Sequence, residues 1–295
     1  MTSVIGRAKV AVMTGYKYPF GVIWLSHSSL ADFDKCPRLY YLHNVYKEMP
    51  LRKKIQVVNP YLTLGMTVHD TLERIRYLPR GERFAKPLTD IFEEIWAGNG
   101  GKRGGFTSAE QEKEFEDRGR TMVRRVQDNP GPIGNLSTVI KDKNEMVASM
   151  WLSQADELVL CGNVDWVEVL PDGSLHIIDF KTGKNEEDAE SLQLKIYLML
   201  TQAGNKRPVT KLSYWYLETE DQPREVPLPS LDGVKEALIE KGRIIKSARQ
   251  MTDETGIACP RGGCRYCRDY ERVIAGEAER VGFDESREKI LYFAA

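Results

Sequence analysis

Residues 162–184, GNVDWVEVLPDGSLHIIDFKTGK, decide how the rest of the chain is read. Two runs rich in β-branched and apolar residues flank Pro171, Asp172 and Gly173, a turn tripeptide, so a hairpin is expected with Leu170 facing Ser174. Pairing back from that loop, facing residue numbers sum to 344 and Asp165 falls opposite Asp179. Facing residues share one side of a sheet, and the period of two adds Lys181 to that side while Phe180 points away. Two carboxylates and an ammonium are therefore expected to converge. Like charges opposite each other cost about 0.2–1 kcal/mol on a surface and more once buried. A hard divalent cation offsets that cost, since Mg²⁺ takes oxygen ligands octahedrally and keeps waters that a phosphate can replace. A lysine beside such a metal orients the attacking water or stabilises charge on phosphorus. The chemistry expected is phosphodiester hydrolysis.

Working outward, strands are expected over 146–152, 158–170 and 174–181, then a helix over 189–203 stopped by Gly204, and a strand over 211–218. The helix is apolar nearly all round, which implies burial, yet it carries Gln193 and Tyr197 four apart on one side, a polar pair that is costly unless partnered. Upstream, Ser26, Ser28 or Ser29 caps a first helix that ends or restarts at Pro37, and residues 60–77 form a second helix bearing His69. Residues 99–105 (NGGKRGG) read as a flexible break, and 108–127 as a solvated helix. An amphipathic helix over 230–249 precedes the cysteine-rich stretch. This order describes an α/β core with a helical insertion between its first helices and its strands.

The chain has 295 residues, 41% hydrophobic and 29% charged, which excludes disordered and collagen-like classes. With 42 basic and 43 acidic residues there is no global attraction to polyanions, so nucleic-acid contacts must come from local clusters. Arg52, Lys53 and Lys54, the arginines from 118 to 125, and Arg261, Arg265 and Arg268 are the clusters; acidic neighbours make the second a solvated helix face. No run approaches the roughly 18 apolar residues of a membrane span, and the first residues lack a signal peptide's pattern, so no membrane partner and a cytoplasmic location are expected. Cys259, Cys264 and Cys267, spaced C-x4-C-x2-C, suit a metal better than disulfides and need a fourth thiolate, from Cys36 or Cys161. Four thiolates hold either zinc or an iron–sulfur cluster.

Taken together, His69 in GMTVHDTLERI, Asp165 in GNVDWVEV, Asp179 and Lys181 in IIDFKTGK, and Gln193 with Tyr197 in QLKIY resemble the RecB-like branch of the PD-(D/E)xK nucleases, over residues 26–267. The resemblance implies a restriction-endonuclease-like core, a mixed sheet flanked by helices, as a single nuclease domain over 1–295 with a helical insertion at 78–135. It implies Mg²⁺ or Mn²⁺ bound by His69, Asp165, Asp179 and the Phe180 carbonyl, a catalytic Lys181, and Gln193 and Tyr197 lining the site. CPRLYYL around Cys36 and CRYC at 264–267 are similar to the AddB-type and CRISPR-associated relatives, which implies a 4Fe-4S cluster on Cys36, Cys259, Cys264 and Cys267, joining region 250–295 to Cys36; zinc is the alternative. The implied activity is a DNA exonuclease preferring single strands, in repair, recombination or CRISPR adaptation, with a helicase or adaptation partner. The competing reading is a non-catalytic or partner-dependent iron–sulfur scaffold that binds DNA. No GxxxxGK[ST] phosphate loop occurs, so a motor would be a separate chain.

Overall fold

A computed structural model describes residues 18, 19, 21–140, 148–188, 190–252 and 255–294. The elements run β1 (Ile23–Leu25), α1 (His27–Lys35), α2 (Pro37–Tyr40), β2 (Lys54–Val57), α3 (Pro60–Arg76), α4 (Leu88–Trp96), α5 (Ala109–Asp128), β3 (Ser137–Thr138), β4 (Ala148–Ser153) and β5 (Leu158–Gly162). There follow β6 (Trp166–Val169), β7 (Leu175–Lys181), α6 (Gln193–Gly204), β8 (Val209–Tyr216), β9 (Arg224–Val226), α7 (Val234–Gln250), α8 (Arg268–Ile274), β10 (Glu279–Asp284) and β11 (Lys289–Phe293). The central sheet has the order β3-β6-β7-β8-β9. Its β7–β8 pair is parallel and its other pairs antiparallel, so α6 serves as the crossover that parallel neighbours require. This is the expected mixed sheet flanked by helices.

The hairpin forms in the expected register. Trp166 faces Ile178 and Val169 faces Leu175. The Leu170 amide donates to the Ser174 carbonyl at 2.9 Å, and the loop closes because Gly173 takes φ +84°, which a side chain resists. One face of the sheet packs Trp166, Ile178, Phe180 and Trp215 against α3, α4 and α5. The other packs Val167, Ile177 and Leu212 against apolar residues of α6 and α7.

Several boundaries differ from the sequence reading. The expected strand 158–170 is two strands, β5 in a β1-β5-β4 sheet and β6 in the central one, with the chain crossing between sheets at 163–165. Gly204 is the last residue of α6, and extended Asn205 caps the helix by donating to Thr201. The start of that helix at Ala189 and the strand start at Met146 lie outside the described residues. Residues 99–105 are not a loose break: a 3₁₀ turn spans Gly101–Gly104. A Cβ on Gly105 would come within 2.5 Å of the Asn59 backbone, so the turn packs tightly on the cap of α3. Helix α5 buries Phe115, Met122, Val123 and Val126, so its solvated face is only one side. A third sheet, β10-β11-β2, was not expected at all; it pairs β2 with the C-terminal strand β11 in parallel. Among the described residues no helix is long and apolar enough to cross a membrane.

Candidate active site

The ladder between β6 and β7 stops at Trp166, one residue short of Asp165. Alternation from the Leu170–Ser174 bond directs the Phe180 amide and carbonyl toward β6. The chain has already turned away there, and the Asp165 carboxylate takes the vacated place, its Oδ2 accepting from the Phe180 amide at 3.0 Å. Its Oδ1 lies 3.4 Å from His69 Nδ1 of α3, which packs on the Phe180 side of the sheet. Asp165 thus reaches the others around the end of a strand, and the simple picture of two facing carboxylates on one surface is corrected: the register holds, but the side chain turns into the sheet.

On the α6 side, Asp179 is fully buried. Its Oδ1 accepts from Gln193 Nε2 at 2.5 Å. Its Oδ2 stands 2.9 Å from Lys181 Nζ. That separation is an ion pair between a buried carboxylate and a half-buried ammonium. A buried carboxylate is costly unless compensated, and here the Lys181 ammonium compensates it. Lys181 is also held by Gln193 Oε1 at 2.5 Å and Glu187 Oε2 at 2.8 Å. Gln193 therefore bridges the aspartate and the lysine, and its Nε2 also lies 3.4 Å from the Tyr197 hydroxyl. The partners that the buried polar pair on α6 required are the two charged residues of β7.

Electrostatics follow from crowding. Burial first, then repulsion from Asp165, pushes Asp179 up to about 7. Burial opposes the charge on His69, but the Asp165 carboxylate outweighs it and raises the imidazole to about 9. Burial likewise disfavours ionised Asp165, yet His69 and the Phe180 amide hold its carboxyl below the usual range. The crowded centre therefore retains a proton on His69 at neutral pH and in part on Asp179.

Three neighbours were not foreseen. Arg76 is buried and donates to the carbonyls of Val164 and Asp165 at 2.9 and 3.1 Å, fixing the crossing that presents Asp165. It stands seven residues after His69, two turns along the same face of α3, and that spacing was the available signal. Glu73, one turn after His69, joins His69, Arg76, Asp165 and Phe180 around a cavity of about 20 Å³, large enough for a single ion or water. Glu187 lies in the loop before α6 with no periodic pattern to mark it.

The four cysteines Cys36, Cys259, Cys264 and Cys267 gather with all Sγ atoms within 4.8 Å of one another, the tightest candidate ligand set among the described residues. His69, Asp165 and Asp179 sit more openly, Asp179 being drawn to Lys181 and Gln193. Sγ separations are 3.7 Å for Cys36–Cys259 and for Cys264–Cys267. Backbone amides of Cys267 and Tyr266 lower Cys264 to about 6, whereas burial raises Cys267 to about 12. Cys161 is elsewhere, and burial raises its thiol to about 11. Of the basic clusters, Arg118 pairs with Glu218 and Arg125 with Asp221, while Arg261, Arg265 and Arg268 are exposed around the thiolates.

Residues 24–272 match the PD-(D/E)XK nuclease superfamily. The chain belongs to that superfamily. Among curated proteins, none matches it. Membership in the PD-(D/E)XK nucleases carries metal-dependent nuclease chemistry.

Proposed function

We propose that the protein is a Mg²⁺- or Mn²⁺-dependent deoxyribonuclease, an exonuclease preferring single strands, in repair, recombination or CRISPR adaptation, alone or beside a helicase or adaptation partner. The observation that carries the reading is the buried Asp179 carboxylate, paired with Lys181 at 2.9 Å and facing the charge of Asp165. His69 Nδ1, the two aspartates and the Phe180 carbonyl form the donor set. A bound divalent cation supplies Lewis acidity toward a phosphate oxygen and a more acidic water. Lys181 holds its ammonium where it orients the attacking water and offsets charge growing on the phosphate. Gln193 fixes Lys181 and Asp179 relative to each other, with Tyr197 behind it. All these groups are present, which favours catalysis over a non-catalytic scaffold.

The test is cleavage of end-labelled single- and double-stranded DNA with either metal, Lys181→Ala alongside. Metal-dependent cleavage lost in the variant, with its fold intact, is the expected outcome; full activity in the variant sinks the reading. For the thiolates we propose a 4Fe-4S cluster, on the resemblance in the CPRLYYL and CRYC segments. The 3.7 Å separations favour the alternative, a single zinc, whose bonds of about 2.3 Å set tetrahedron edges of about 3.8 Å. Visible absorption and metal analysis of protein purified without oxygen separate the two.

A further inference from the structure

Beside Lys181 the central sheet opens into a cleft of about 600 Å³, lined by Tyr214, Tyr216, Leu194, Leu212, Leu228 and Arg224 among others. That volume is within the roughly 300–1,000 Å³ of small-ligand sites. The parallel register sets Tyr214 opposite Asp179 and Tyr216 opposite Lys181, so both tyrosines share the face of the proposed catalytic residues, one strand over. The Lys181 ammonium lies 5.1 Å from the centre of the Tyr214 ring. Glu187 belongs to both places, pairing with Lys181 and lining the cleft. The cleft is therefore continuous with the candidate active site.

Its chemistry selects the occupant. The two lining cations are compensated, Arg224 by Glu186 at 2.6 Å and Lys195 by Glu190 at 3.7 Å, and Glu186, Glu187 and Asp188 also face the space. A phosphate finds no uncompensated charge there. The Arg224 guanidinium lies 5.2 Å from the centre of the Tyr216 ring, a cation–π contact at one wall. Aromatic rings and guanidinium planes in a mostly apolar recess are the surfaces on which unpaired bases stack.

We propose that this cleft receives one unpaired nucleobase of the strand whose phosphate lies at Asp165, Asp179 and Lys181. The inference rests on the nuclease reading and gives it a physical source of strand preference. A base in a duplex enters only after leaving its stack and its partner, which costs energy that a single strand does not spend.

The test keeps the protein intact and alters the substrate. A series of short single-stranded oligonucleotides carries one abasic residue, moved a position at a time, and cleavage at each phosphate is measured with Mg²⁺. At one offset from the cut bond kcat/KM is expected to fall about tenfold or more, with the other offsets little changed. Leu228→Trp, at the exposed rim of the cleft, is expected to raise KM at near-constant kcat and to erase that offset dependence. Equal cleavage at every offset overturns the cleft. Binding of the same series, followed by fluorescence anisotropy in Ca²⁺, separates the two readings. Base-dependent binding at one offset without any cleavage retains the cleft and removes the nuclease assignment. Base-independent binding removes the cleft whatever the activity.

Discussion

The carboxylate centre takes Asp165, Asp179, Lys181, Gln193 and Tyr197 from one continuous run of chain and adds His69 from α3, whereas the thiolate centre joins Cys36 to cysteines that begin 223 residues later. In the first, a hairpin loop sets the register and one crossover helix brings its polar pair back over the strand, so geometry follows from local rules. In the second, the placement depends on tertiary structure: the bidentate Arg38–Glu271 pair, at 2.6 and 3.0 Å, and the parallel β2–β11 pairing tie the two ends of the chain together. The comparison teaches that a centre drawn mostly from one segment is legible from local rules, while one assembled across the chain reports on the completed fold.

Breaking one centre should therefore leave the other standing. Asp165→Asn is expected to lower kcat by about 10²–10³ or more while the metal content at the cysteines stays unchanged. Loss of that metal in the variant would show the centres to be coupled. In the reverse direction, Cys264→Ser should strip the thiolate metal and destabilise by about 3 kcal/mol, a fall in Tm of about 6–12 °C, and weaken DNA binding. A variant that keeps both its metal and its Tm contradicts a four-thiolate site.

Proton linkage sharpens the contrast. Asp179 is raised in the fold to about 7, so its favoured protonated form is lost, and stability with it, as pH rises from the unfolded carboxylate range through 7. His69 is raised to about 9, so its contribution is complete below the unfolded imidazole value and is lost as pH rises through 9. Both protons compete with a divalent cation. Mg²⁺ affinity is expected to rise about tenfold per pH unit between 7 and 9, seen as a growing Mg²⁺-induced increase in Tm. A shift that is independent of pH over that interval removes the protonated-ligand picture. The smallest effect belongs to the hairpin loop. A Cβ at Gly173 meets no atom within 4 Å, so the expected cost of Gly173→Ala is only the strain of positive φ, about 1–2 kcal/mol, read from urea unfolding.

How much of this was legible follows the same division. The loop chemistry of Pro171, Asp172 and Gly173 fixed the facing residues, and the helical spacing of Gln193 and Tyr197 marked a buried polar pair. Ser26 caps α1 through reciprocal bonds with Ser29, as serine there suggests. The break at 163–165 was not legible, because an apolar run looks alike whether it stays in one sheet or changes sheets. Strands β2, β10 and β11 were missed because they are short and two of them pair across the whole chain, where no local pattern points. Arg76 and Glu187 act through contacts with a distant backbone and a loop, and residue type alone gives neither away.

Synthesis of this chain runs in one direction, which gives the long reach between Cys36 and Cys259 a meaning in time. At about 5–20 residues per second, about 10–45 s separate the emergence of the first ligand from that of the second. The residues of the β6–β7 hairpin and of helix α6 are made while Cys259, Cys264 and Cys267 are still to come. A metal at the four thiolates, as proposed, would join segments made at the two ends of that interval.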